Sequence, residues 1–293
     1  MRSALSVAEL AASLPHTGGW YVYLREGLGR LAGFLLGLSE LVLIRASAAW
    51  AISAVFSEYF LRSMGHDPTI HGAAADYVAG GAIVLAATIN IRGVQLGAMI
   101  AGASSVAKFG ALAFLVIASF VLGCGAGASI TNFTAASAPV DAGLFGLVLI
   151  SVLWAYDGFA DLSFAADEAN DPQRNLPRAI IVGTLVIIGI YLAANAAYLH
   201  VNPVERLATS PLIAADSMQA IFGPIGVAFV SVVVTISTFG ALIAIILSDP
   251  RVFFAMADDR LVFRAMARVH PRYETPCVAI ALAAALGVLF VLT

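Results

Sequence analysis

Seven long apolar runs constrain what this chain can fold into. With approximate edges they fall at 31–61, 73–91, 93–122, 144–165, 179–199, 221–247 and 277–292. A helix needs roughly 20 mainly apolar residues to cross the hydrocarbon of a bilayer, and only helices or closed barrels satisfy their backbone there. Runs of that kind predict seven membrane helices. Composition agrees: 61% of residues are hydrophobic and 11% charged, against about 25% charged in soluble domains. Mean hydropathy is +0.94. Residues 3–14 are apolar but too short to cross.

The connections alternate in charge. Loops at 15–30, 92, 166–178 and 248–276 hold Arg25, Arg30, Arg92, Arg174, Arg178, Arg251, Arg260, Arg264, Arg268 and Arg272, whereas the opposite loops hold Arg62 and Arg206. The positive-inside rule makes the first group cytoplasmic. The segments 16–29 and 249–270 are amphipathic, with aromatic or aliphatic residues opposite arginines.

Cys124 and Cys277 are far apart and form no disulfide framework or metal site. The sequence Gly27-Leu28-Gly29-Arg30-Leu31-Ala32 superficially matches a dinucleotide fingerprint. It follows no strand and enters a membrane-length run, which excludes that reading. No phosphate-binding loop, zinc signature or nucleophile elbow is present, so no cofactor, enzyme chemistry or nucleic-acid partner is implied. Asn132-Phe133-Thr134 is a glycosylation triplet of a kind common by chance.

Charges at membrane depth are the informative ones, because polar groups there are costly and are functional candidates by default. Glu40 and Arg45 lie five apart and read as a pair within one helix or between neighbours. Lys108, the sole lysine, sits in mid-helix, too far from either end to reach water. It is either a proton-binding group or one half of a static pair, with Glu40 or an acid of the 151–178 segment as partner. That segment, SVLWAYDGFADLSFAADEANDPQRNLPR, places Asp157, Gly158 and Asp161 inside an apolar run. Either a continuous helix faces its acids toward partners, or the helix breaks as in many transporters, leaving backbone groups for a substrate.

WAYDGFADLSFAADEANDPQRNLPRAI resembles the sixth-helix signature of the amino acid–polyamine–organocation permeases, especially their L-type amino-acid transporter branch. Further segments are similar to that family in the same order. AELAASLPHTGGWYVYLREGLG resembles the end of its second helix, ELVLIRASAAWA its third, and NIRGVQLGAMIAGASSVAKFGAL its fifth. STFGALIAIILSDPRVFFAMADDRLVFRAMARVHPRYETP resembles its eighth helix and following loop.

The resemblance implies an all-α polytopic transporter bundle of two inverted five-helix repeats. The chain, a single transmembrane domain over 1–293, would begin inside the second helix and stop after the ninth, so the family's first and last helices would be missing. The implied function is secondary active transport of amino acids across the cytoplasmic membrane, proton-coupled or by exchange. The alternative is a transport-inactive scaffold. The substrate's amino group would meet the backbone at Trp154, Ala155 and Tyr156, with Gly158 giving the break and Trp154 at the gate position. Leu43, Ile44, Ser47 and Phe239 would fall near the substrate. Ile243 stands where many relatives have Asn, Ala46 where many have Pro, and Asp258 where the loop usually carries a basic residue. A lining of Trp154, Phe239, Leu43, Ile44 and Ile243 suits an apolar or small neutral side chain. The resemblance makes Lys108 the coupling residue, near hydroxyls of Ser237 or Thr238, with the proton as coupling ion. It names no protein partner.

Overall fold

A computed structural model describes residues 1–66, 72–134, 141–210 and 212–292. The described residues form helices in the order α1 Arg2–Ser13, α2 Trp20–Leu28, α3 Arg30–Ser63, α4 Ala73–Arg92, α5 Val94–Leu122, α6 Ala142–Ala155, α7 Pro172–Val201, α8 Val204–Thr209, α9 Ile213–Phe222, α10 Pro224–Ser248, α11 Pro250–Asp258 and α12 Cys277–Leu292. By length and apolar composition six helical segments can cross a membrane, beginning at Arg30, Ala73, Val94, Ala142, Pro172 and Pro224; α12, at 16 residues, is shorter.

The chain packs as two compact units. The first comprises Met1–Lys108, Ala160–Ile181 and Val232–Thr293; the second comprises Phe109–Phe159 and Val182–Ser231.

Small residues set the packing of the first unit. On α4, Ala79, Ala82, Ile83, Ala86, Ala87 and Asn90 are buried, a spacing of three and four that draws one stripe along the helix. This stripe meets Ala49 of α3, Leu242, Ile243 and Ile246 of α10, and Ile280, Ala284 and Val291 of α12. In lipid there is little hydrophobic drive between helices, so close backbone approach through small side chains supplies the attraction. The closest approach is between α5 and α10, where a Cβ added at Gly240 would overlap Ser104. Asn90 donates from Nδ2 to the Ile243 carbonyl at 3.0 Å. Ile243 is thus sealed in this core at 0% exposure, away from the free surface that a substrate-lining role would need.

The four arginine-bearing loops meet at one end of this unit. Thr17 N–H donates to Asp167 Oδ2 at 2.9 Å, and Gly18 N–H to the Phe164 carbonyl at 3.1 Å. Tyr21 donates to Asp259 Oδ2 at 2.5 Å, and Arg25 also pairs with Asp259. Thr275 Oγ1 donates to the Ile91 carbonyl at 2.9 Å. Gly19, with φ +47, packs so closely on Phe164 and Ser163 that a Cβ would overlap both; glycine is the residue that combines that φ with that approach.

In the second unit aromatic rings join α5 to α9 and α10: Phe114 stacks on Phe222 with centroids 5.9 Å apart and meets Phe229 edge-on at 5.3 Å. Asn202 donates to Ser217 Oγ at 2.8 Å. The amide of Asn132 donates to the His200 carbonyl at 3.1 Å, so the glycosylation triplet has its acceptor nitrogen engaged in the fold. Helix α6 buries none of its residues.

Candidate functional site

The membrane-length segment from Ala142 to Asp167 changes conformation partway. Asp141 caps α6 by accepting from Gly143 N–H at 3.2 Å, as an N-terminal aspartate should. The α-helix runs through Trp154 and Ala155 and stops at Tyr156 (φ −106°, ψ 5°). A tighter 3₁₀ stretch follows over Asp157–Glu168, with a kink at Ala165 (φ −109°, ψ 35°). Such stretches exceed three or four residues only under local constraint. The turn therefore comes two residues before Gly158. Trp154 and Ala155 are still helical, so the distortion begins later than Trp154, at Tyr156, and continues past Phe159 through the 3₁₀ stretch.

A break in a membrane helix leaves carbonyls without their helical donors. At Ala155 the second unit supplies a partial answer: Tyr191 of α7 donates its hydroxyl to the Ala155 carbonyl at 3.5 Å, a long bond. Its ring meets Tyr156 edge-on with centroids 5.2 Å apart. Trp154 is 63% exposed.

In the first unit, Leu43 and Ile44 are exposed and Ser47 and Phe239 half-buried. Leu43 and Ile44 lie on a five-residue π turn, Glu40–Ile44, inside α3. There Arg45 N–H bonds to the Glu40 carbonyl, five residues back. This wider turn brings residues i and i+5 onto one face, which an α-helix does not do. Glu40 and Arg45 consequently pair, Nε to Oε2 at 2.6 Å.

Arg45 does more than pair within its helix. It forks onto Asp161 of the 3₁₀ stretch, Nη2 to Oδ1 at 3.0 Å and Nη1 to Oδ2 at 3.2 Å. It reaches Asp249 Oδ1 at the α10–α11 junction at 3.4 Å. Its guanidinium lies 5.0 Å from the ring centre of Phe164. Glu40, Arg45 and Asp249 are all buried. One cation thus ties α3, the 3₁₀ stretch and the end of α10 together. Asp249 was assigned by hydropathy to a loop; the cue was available in Pro250, which restarts a helix at its first position.

Lys108 is the central residue of the 29-residue α5 and is half-buried. At 1.5 Å per residue it stands about 21 Å from each end. Gly97 lies near Ile243, and Ser104 touches Gly240, so α5 and α10 run antiparallel here. The same course carries Lys108 toward the level of Ser237 and Thr238. Both hydroxyl residues are half-buried, and Thr238 Oγ1 donates to its own helix at the Val234 carbonyl, 2.7 Å away. Of the acids that could form a static pair with Lys108, Glu40 and Asp161 are both bonded to Arg45.

Outside the membrane-length segments, burial and a carboxylate push Tyr21 up to about 12. Burial works against a charged Asp259, but hydrogen bonds from Tyr21 and Arg25 outweigh it and hold its pKa below the ordinary carboxylate value. Among the described residues no group of His, Cys, Asp and Glu is arranged to hold a metal ion.

Comparison with known proteins places this architecture. The pattern of the family described as amino acid permease matches residues 1–293. The serine/threonine exchanger SteT of Bacillus subtilis is 31% identical over all of this chain, which covers 65% of that protein. The human b(0,+)-type amino acid transporter 1 is 27% identical over 94% of the chain and 57% of its own length. Rabbit (Oryctolagus cuniculus) large neutral amino acids transporter small subunit 2 is 28% identical over 93% of the chain and 51% of its own length. The chain therefore spans between about half and two thirds of these relatives, whose names are those of transporters and not of enzymes. With six segments of membrane-spanning length among the described residues, it is a multi-pass membrane protein. Matched along all its residues, it belongs to the amino acid permease family.

Proposed function

We propose that the protein takes part in secondary transport of small neutral amino acids across the cytoplasmic membrane, by exchange or coupled to protons. The observation that carries this reading is the helix that stops at Tyr156 inside a membrane-length segment. Interrupted helices at membrane depth give transporters backbone groups with which to hold a polar substrate in an apolar surrounding. The backbone at Trp154, Ala155 and Tyr156 receives the substrate's amino group. The long bond from Tyr191 to the Ala155 carbonyl leaves that acceptor's second lone pair open to a stronger, charged donor. Gly158 lets the chain bend, and Trp154 acts as a gate. Leu43, Ile44, Ser47 and Phe239 favour a small or apolar side chain, in keeping with the serine/threonine named for the Bacillus relative. Lys108, with Ser237 and Thr238, couples transport to protons. The four arginine-bearing loops face the cytoplasm; their meeting at one end of the first unit supports this orientation.

The test is reconstitution of the gene product carrying these 293 residues into liposomes preloaded with serine, followed by uptake of labelled serine, leucine and arginine. The expected result is saturable serine uptake that internal serine stimulates, lost in Gly158→Leu while membrane insertion persists. A correctly inserted protein without saturable uptake of any amino acid would overturn the reading in favour of a transport-inactive scaffold.

A further inference from the structure

A cavity of about 710 Å³ opens at the turn between α4 and α5, lined by Arg92, Val94, Gln95, Arg251, Arg272 and Glu274 among others. Three arginines and one glutamate line it, a formal excess of two positive charges. Arg251 is 6% exposed and anchored by a hydrogen bond from Nη1 to the Leu247 carbonyl. Arg272 lies over the Tyr273 ring at 5.7 Å, and His270 Nδ1 accepts from the N–H groups of both. Thr275, fully buried, fixes this loop to α4 through the Ile91 carbonyl. The arginines therefore stand on a structured wall.

Val94 and Gln95 begin a 29-residue helix, whose first N–H groups have no partner within it and carry the positive end of the helix dipole. Guanidinium forks and helix-end N–H groups converging on one concavity recognise tetrahedral oxyanions. The depth of the site narrows the choice of ligand. Arg92 ends one membrane-length helix and Val94 begins the next, so the cavity lies at the boundary of the hydrocarbon, where phospholipid headgroups reside.

We propose that this cavity binds a phosphate oxyanion, carried by the headgroup of an anionic phospholipid or present as free phosphate. The site is independent of the substrate the protein transports. Arg92 and Arg272, both exposed, supply the adjustable contacts, and Glu274 tempers the affinity.

The purified gene product is titrated with phosphatidylglycerol, with phosphatidylcholine and with inorganic phosphate, and bound species are counted by native mass spectrometry. Phosphatidylglycerol should bind in preference to phosphatidylcholine. Arg92→Gln and Arg272→Gln should each weaken it about fivefold. Glu274→Gln should strengthen it, and Arg206→Gln, which is not among the residues lining the cavity, should change nothing. If inorganic phosphate binds with that same residue dependence while the two lipids do not differ, the site stands and its anion is the soluble one. If Arg92→Gln and Arg272→Gln bind phosphatidylglycerol and phosphate as the parent does, the proposal is wrong.

Discussion

Arg45 Nη1 lies 3.4 Å from Asp249 Oδ1, joining the middle of α3 to the end of α10 far along the chain. The same guanidinium holds Glu40 and Asp161. Removing the cation strands two buried carboxylates, Glu40 and Asp249, and a part-buried one, Asp161, which costs about 3–5 kcal/mol. Arg45→Met should therefore sharply lower the thermal midpoint of the detergent-purified protein. Asp249→Asn, which keeps a hydrogen-bonding side chain and reduces the negative charge, should cost far less. Equal losses in the two variants would show that Arg45 does not organise the cluster.

Packing between α5 and α10 gives a second expectation. A methyl at position 240 collides with Ser104, so Gly240→Ala should destabilise by about 1–3 kcal/mol. Ser104→Gly in the same chain should recover part of that loss. Additive losses in a double-mutant cycle would contradict the contact.

Tyr21 gives the protein a pH dependence of known sign. Its folded pKa, about 12, is above the ordinary value of 10.0, so folding favours the neutral phenol. The resulting stability is fully present below pH 10 and is lost as the pH rises through about 12. Thermal midpoints measured from pH 9 to 12 should fall more steeply for the parent than for Tyr21→Phe. Parallel profiles would remove Tyr21 from the account.

Lys108 should govern coupling. Lys108→Ala is expected to abolish pH-dependent accumulation of substrate by the reconstituted gene product while exchange at fixed pH persists. If the variant still concentrates substrate with an unchanged pH profile, the lysine is structural.

The arginine-bearing loops, the long apolar helices and the interruption after Trp154 were all legible in the sequence, since hydropathy and charge report length and sidedness. Rotation about a helix axis was not. A hydropathy window averages over about 19 residues and is blind to the single wider turn at Glu40–Ile44 that aims Arg45. The five-residue spacing of Glu40 and Arg45 was the one visible hint. Asp249 escaped notice because its partner is distant in sequence and its apolar run had already ended. Gly158 drew attention as the flexible residue, yet the helix turns earlier, at Tyr156, where Tyr191 offers both a ring and a hydroxyl to the freed backbone. Ile243 was read as lining a site from its place in a motif; its side chain, 0% exposed, packs in the core cluster instead.

The wider turn in α3 also resets which way the second half of the helix faces. A π turn holds one residue more than the α-turn it replaces, while the helix on either side keeps its course. Without it, every side chain after Ile44 would rotate by about 100° relative to those before Ser39. The two ends of α3 thus belong to different helical phases. A relative with an uninterrupted helix here aligns correctly on both sides only if a one-residue gap falls between Glu40 and Arg45.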